Sequence, residues 1–319
     1  MLISVFVMTW LGIGAPFQGS PSPPDLASLI HSLPAEVRLN SPQPGLKLSE
    51  VLGKAPLQTV EIDLPALIEL TESPDDRTRS IAILSLLGLV LPGEDSNPPV
   101  DTKRQSLLLP YVSRLAPRLF DPSTAAPCGL LFNVLSFIRP PSADLSHILL
   151  QVLEDPRSTK PLPPPPTPKN ELPQSQLYVG ANAVSGLLNT GATFYRDPVS
   201  NITEGYDTEE VQQAILRFIN RPDQTPVSLS WTIQIIARAQ PQNPALNDRL
   251  LLFLDAEDPA VRMELLRALP HLTFSQPAYA SAKAHLAQIV SAPSSSAEFR
   301  STANAILSCW DNNRHHLCH

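Results

Sequence analysis

Apolar positions recur along this chain at spacings of three and four residues, most plainly between Asn247 and Pro270. Val261, Leu265 and Leu269 fall at i, i+4 and i+8 with Leu266 beside them, while Arg262, Glu264 and Arg267 lie mostly elsewhere. That is the pattern of a helix with one buried stripe. The apolar run Asn247-Asp-Arg-Leu-Leu-Leu-Phe-Leu254 leads into it, and Asp258-Pro259 separates the two, so the region reads as a helical hairpin. Leu64, Leu67 and Ile68 repeat the spacing, as do Ile83, Leu86, Leu87 and Val90.

The hairpin recurs, and its turn marks it. Proline turns between apolar helices occur at Ser73-Pro74, Asp121-Pro122, Asp155-Pro156, Arg221-Pro222, Asp258-Pro259 and Ala292-Pro293, at intervals of 48, 34, 66, 37 and 34 residues. Proline suits the first turn of a helix and opposes continuation of the one before, and Asp ahead of it can cap the second helix. The first helices are expected at 64–71, 107–120, 143–153, 208–220, 246–254 and 277–290. The second helices are expected at 76–91, 124–138, 176–188, 226–239, 260–269 and 297–309. Pro110, Pro117 and Pro127 should kink or shorten the second pair. One two-helix unit cannot bury such stripes alone, so the units are expected to stack.

The stretch from Leu64 to Leu87 resembles a HEAT repeat, and Asp258-Pro-Ala-Val-Arg262 is similar to that family's inter-helix turn. The resemblance runs from about Val60 to Trp310. Arg221-Pro222 and Ala292-Pro293 lack the Asp, and Asp121-Pro122 and Asp155-Pro156 lack the following Val-Arg. It implies an all-α, right-handed α-solenoid of about five or six helical hairpins, whose second helices line the concave side. Arg77, Arg79, Trp231, Arg238, Arg262 and Arg267 then become candidates for a shared partner-binding face. The competing reading makes Trp231 core and the arginines solvated positions paired with Glu264 or a neighbour.

Composition agrees with aliphatic helix packing: 43% of residues are hydrophobic, 6% aromatic, and only 12 are glycine. A net charge of −7 argues against nucleic acid as the partner, since phosphate binding relies on clustered Lys and Arg. Residues 1–19 read as an export signal: the run Leu2–Phe17 is apolar, too short for a stable membrane span, and ends among Gly12, Gly14 and Ala15. No Lys or Arg precedes Arg38, so the usual basic start of such a signal is missing. Residues 20–59 form a Pro/Ser-rich leader in which Asp25 to Leu33 is a candidate capping helix, with a flexible leader as the alternative. The repeat domain spans 60–310, with a Pro-rich insertion at 157–175 around Pro161-Leu-Pro-Pro-Pro-Pro-Thr-Pro168, and 311–319 are a tail. The expected location is outside the cytoplasm, periplasmic or secreted, with the cytoplasm as the alternative.

Chemistry is sparse. No Gly-x-Ser-x-Gly, His-Glu-x-x-His or Gly-x-x-x-x-Gly-Lys occurs, so no catalytic residue, cofactor or metal ligand is assigned. The tail holds Cys309, His315, His316, Cys318 and His319. They leave three readings: a Cys309–Cys318 disulfide, a metal site of no specific spacing, or free thiols. Asn201-Ile-Thr203 matches a glycosylation acceptor, and Asp207 with Glu210 reads as a helix cap in preference to a calcium ligand. The expected role is a scaffold that binds a protein partner. An enzyme or accessory factor with a small-molecule pocket between hairpins is the alternative.

Overall fold

In a computed structural model the chain is described over residues 26–38, 43–90, 102–121, 130–136, 138, 142–162, 178–188, 209–239 and 244–311. The fold is all-helical, and among the described residues the only extended pairing is an isolated bridge between Pro161 and Tyr178. The leader carries more structure than its composition predicts. The expected capping segment extends as α1 (Leu26–Arg38), which buries Leu26, Leu29, Ile30 and Leu33. A second helix, α2 (Gln43–Lys54), follows it and buries Leu48 and Leu52. Pro44 falls at its start, where a missing N–H costs nothing.

The first hairpin is α3 (Leu57–Leu70) and α4 (Asp76–Ser85), with Val60, Leu64, Leu67 and Ile68 wholly inside. The predicted long second helix breaks at Leu86, and α5 (Leu87–Val90) continues after it. Ser85 Oγ donates to the Ile81 carbonyl at 2.9 Å, the back-bonding that bends helices. Gly88 lies where an added Cβ would fall on the Ser49 backbone, so α2 and α5 approach as closely as glycine permits.

Pro110 and Pro117 act on the second unit as the sequence predicts, and Pro127 lies outside the described residues. Its first helix is divided into α6 (Thr102–Ser106), α7 (Val112–Leu115) and two 3-10 turns, Leu109–Tyr111 and Ala116–Phe120, with Pro110 and Pro117 inside those turns. The partner helix is α8 (Leu130–Ser136). The third unit pairs α9 (Ala143–Glu154) with α10 (Val179–Leu187). The insertion drawn at 157–175 begins with packed chain, since Ser158 and Thr159 are fully buried and Leu162 is nearly so.

The remaining units follow the predicted bounds closely. They are α11 (Glu209–Ile219) with α12 (Pro226–Ala239), α13 (Pro244–Leu250) with α14 (Pro259–Ala268), and α15 (Gln276–Ser291) with α16 (Ala297–Asp311). The predicted helix at 246–254 ends instead in a 3-10 turn, Leu251–Asp255. Packing runs from each unit to the next. Helix α2 packs on α4, α4 on α8, α8 on α10, α10 on α12, α12 on α14, and α14 on α16. Of the first helices, α9 packs on α11 and α11 on α13. The apolar stripes thereby merge into one continuous cluster from Leu26 to Trp310.

Candidate functional site

The inter-helix turns set the geometry of everything around them. Asp258 caps α14: its carboxylate accepts the N–H groups of Ala260 at 2.8 Å and Val261 at 3.2 Å, and Pro259 opens the helix. In the first hairpin Asp75 takes that job, accepting Thr78 N at 2.7 Å and Thr78 Oγ1 at 2.6 Å. Asp155 accepts Arg157 N at 2.7 Å but starts only a 3-10 turn, Pro156–Thr159. The Arg157 guanidinium also binds Asp155 and lies 4.0 Å from the Phe120 ring centre. Its hydrogen bonds hold the Asp155 carboxyl below the usual carboxylate range.

Other turn residues tie one unit to the next. Arg79 Nε donates to Asp121 at 2.9 Å, and its other nitrogens reach Asp76 and the Ser73 carbonyl. Arg221 Nη1 donates to the carbonyls of Leu153 and Asp155, each at 2.9 Å, while Nε and Nη2 hold Asp223. Asp223 accepts a further bond from Thr159 Oγ1 at 3.0 Å. The Arg221 guanidinium, with Thr159 adding to it, draws the Asp223 carboxyl down to about 2.

The six candidate face residues fall into two groups. Arg77 and Arg79 sit on α4, where Arg79 is buried and its guanidinium is committed to the bonds above. Trp231, Arg238, Arg262 and Arg267 lie on the adjacent helices α12 and α14. The Arg238 guanidinium lies 5.4 Å from the centre of the half-buried Trp231 ring, and that of Arg262 lies 5.4 Å from the centre of Phe299 on α16. Arg267 pairs with Glu298 at 3.4 Å and, more loosely, with Glu264 at 4.0 Å. Loss of solvent around its guanidinium lowers the Arg238 pKa, with Glu264 acting in the opposite sense. The side-chain nitrogens Trp231 Nε1 and Arg262 Nε are shut off from water and have no hydrogen-bond partner.

Phe299 and Glu298 are the parts of this face that sequence reasoning missed. Both lie in the first turn of α16, within reach of long side chains from α14. The only signal for them is their place at the start of the next second helix.

The concavities lie elsewhere. One groove of about 320 Å³ is lined by Leu153, Glu154, Ala214, Arg217, Phe218 and Arg221. Another, of about 510 Å³, includes Ala116, Pro117, Phe120, Ile148, Val152 and Arg157. Both open to solvent, and their lining includes charged side chains, among them the Arg157–Asp155 pair. Among the described residues, no group of three or more His, Cys, Asp or Glu side chains is placed to hold a metal. None of the described helices is long and apolar enough to cross a membrane. Cys309, on α16, is disulfide-bonded. Cys128, Cys318, the tail histidines, the glycosylation motif, Asp25 and Asp207 lie outside the described residues.

Fold and geometry together define an all-helical protein whose successive units pack on one another, with Arg238, Arg262 and Arg267 on the adjacent helices α12 and α14. No protein-family model matches the chain, and a search of the curated proteins finds no relative.

Proposed function

We propose that the protein is an exported α-solenoid scaffold of HEAT-like hairpins, and that it binds a protein partner through its second-helix face. The observation that carries this reading is the row of second helices, each packed on the next from α4 to α16. Such rows present a long surface suited to extended or large ligands. On two neighbouring members of that row sit Trp231, Arg238, Arg262 and Arg267, residue types that dominate binding energy at protein interfaces. The leader helices α1 and α2 serve as the cap that an open repeat array requires. The open grooves favour binding over enclosed chemistry. Export is supported by the apolar run Leu2–Phe17 in the sequence and by the disulfide at Cys309.

Crosslinking in cells of the source organism, followed by mass spectrometry of what co-purifies, tests the reading. One recurring protein partner, together with a mature N-terminus between Pro16 and Ser20, is expected. An intact Met1 in the cytosolic fraction with no partner overturns both halves.

A further inference from the structure

We infer that Arg238 on Trp231 and Arg262 on Phe299 are two receiving stations for carboxylates, and that the segment they bind is an acidic stretch of the protein partner. The inference rests on the scaffold reading and assigns that surface its chemistry.

The other arginines are committed within the protein. Arg79, Arg114, Arg157, Arg217, Arg221 and Arg267 are paired with carboxylates. Arg104 and Arg300 donate to backbone carbonyls, Arg249 donates to Asn220, and Arg77 and Arg118 also have partners. Arg238 and Arg262 make neither a hydrogen bond nor an ion pair to the described residues. Yet the chain has 30 Asp and Glu against 23 Lys and Arg, so acids to pair them were plentiful. Both instead lie against an aromatic ring at 5.4 Å, which orients the planar fork and leaves its terminal Nη donors without a protein partner. A carboxylate is the group that fits such a fork bidentately.

The surroundings favour the same ligand. The nearby acid Glu264 lies 4.0 Å from Arg267, and Arg267 also takes Glu298. This face is therefore cationic on a protein of net charge −7. It complements an acidic chain, and the exposed Val227 on α12 offers an apolar contact beside it.

The test uses the full chain and a fluorescein-labelled oligoglutamate peptide read by anisotropy, with oligoglutamine, oligolysine and inorganic phosphate as comparators. Oligoglutamate should bind, the other two peptides should not, and added salt should weaken the complex. The double variant Arg238→Gln, Arg262→Gln should weaken it roughly tenfold or more while its melting temperature holds. Trp231→Phe, which keeps a ring beside Arg238, should weaken it less. Oligoglutamate binding no tighter than oligoglutamine overturns the inference, as does unchanged binding by the double variant. Phosphate displacing the peptide at equal charge also overturns it, because the site would then be a general anion site. Recovery of the same crosslinked partner by wild type and double variant would leave the scaffold reading standing and remove this one.

Discussion

The turns at Asp258 and Asp121 share the dipeptide Asp-Pro, and among the described residues their carboxylates take different partners. At Asp258 the carboxylate is spent locally, on two backbone N–H groups of the helix that Pro259 opens. At Asp121 the carboxylate reaches back to the preceding unit and takes the Arg79 guanidinium. Asp155 stands between them: it caps a single 3-10 turn with its side chain, while its carbonyl receives Arg221 from the following unit. The same two letters can therefore finish one hairpin or clasp two together. A local cap contributes a modest, independent increment, whereas a clasp couples the stability of neighbouring units.

The largest effect is expected at the clasp. Arg79 and Asp121 expose 11% and 18% of their side chains, so breaking the pair leaves a largely desolvated charge. Arg79→Ala should lower unfolding free energy in urea by about 3 kcal/mol. If the pair is a coupled clasp, the double variant with Asp121→Ala should cost clearly less than the two single changes added. Simple additivity would mean that Arg79 acts through Asp76 and Ser73 alone.

Gly88→Ala is the next in size. The new methyl would meet the Ser49 backbone, and backbone yields less readily than a side chain, so overpacking should cost about 2 kcal/mol. Protease nicking in 43–54 should rise in that variant if α2 is the element that loosens. Asp258→Ala comes below it, at about 1 kcal/mol, with Asp258→Asn close to wild type because an amide oxygen still caps. Equal losses at Asp258 and Asp121 would erase the distinction between cap and clasp.

How much was legible follows from the same physics. Periodicity located α11, α12, α14, α15 and α16 within a residue or two, because long stripes such as Val211, Ala214, Ile215 and Phe218 leave one helical solution. Pro110 and Pro117 were legible as interruptions, since each removes a backbone donor. Helix α2 was not, because Pro44, Gly45 and Gly53 mask a short stripe that its docking on α1, α4 and α5 sustains. The face was legible in its residue types and not in its partition. That Arg79 is buried in a clasp while Arg238 is left with a vacant fork depends on contacts across units, which spacing within one helix cannot report.

Acid should separate clasp from cap at the finest level. The Asp223 carboxyl sits at about 2, below its unfolded value of about 3.9, so its contribution is fully present above pH 4 and drains as pH falls towards 2. Asp155 is shifted in the same direction by Arg157 and adds to that limb, whereas no histidine or lysine is needed to produce it. Asp223→Asn should therefore be slightly less stable at neutral pH and show a shallower loss between pH 4 and pH 2, read as the change in urea midpoint. Because Asp223 joins Thr159 to Arg221 across a sequence gap of more than sixty residues, its acid limb reports the contact between the third and fourth units. An Asp258→Asn variant, altered only within one hairpin, should keep that limb, and an equal flattening in both variants would mean that acid loosens the turns generally and spares no distinction between them.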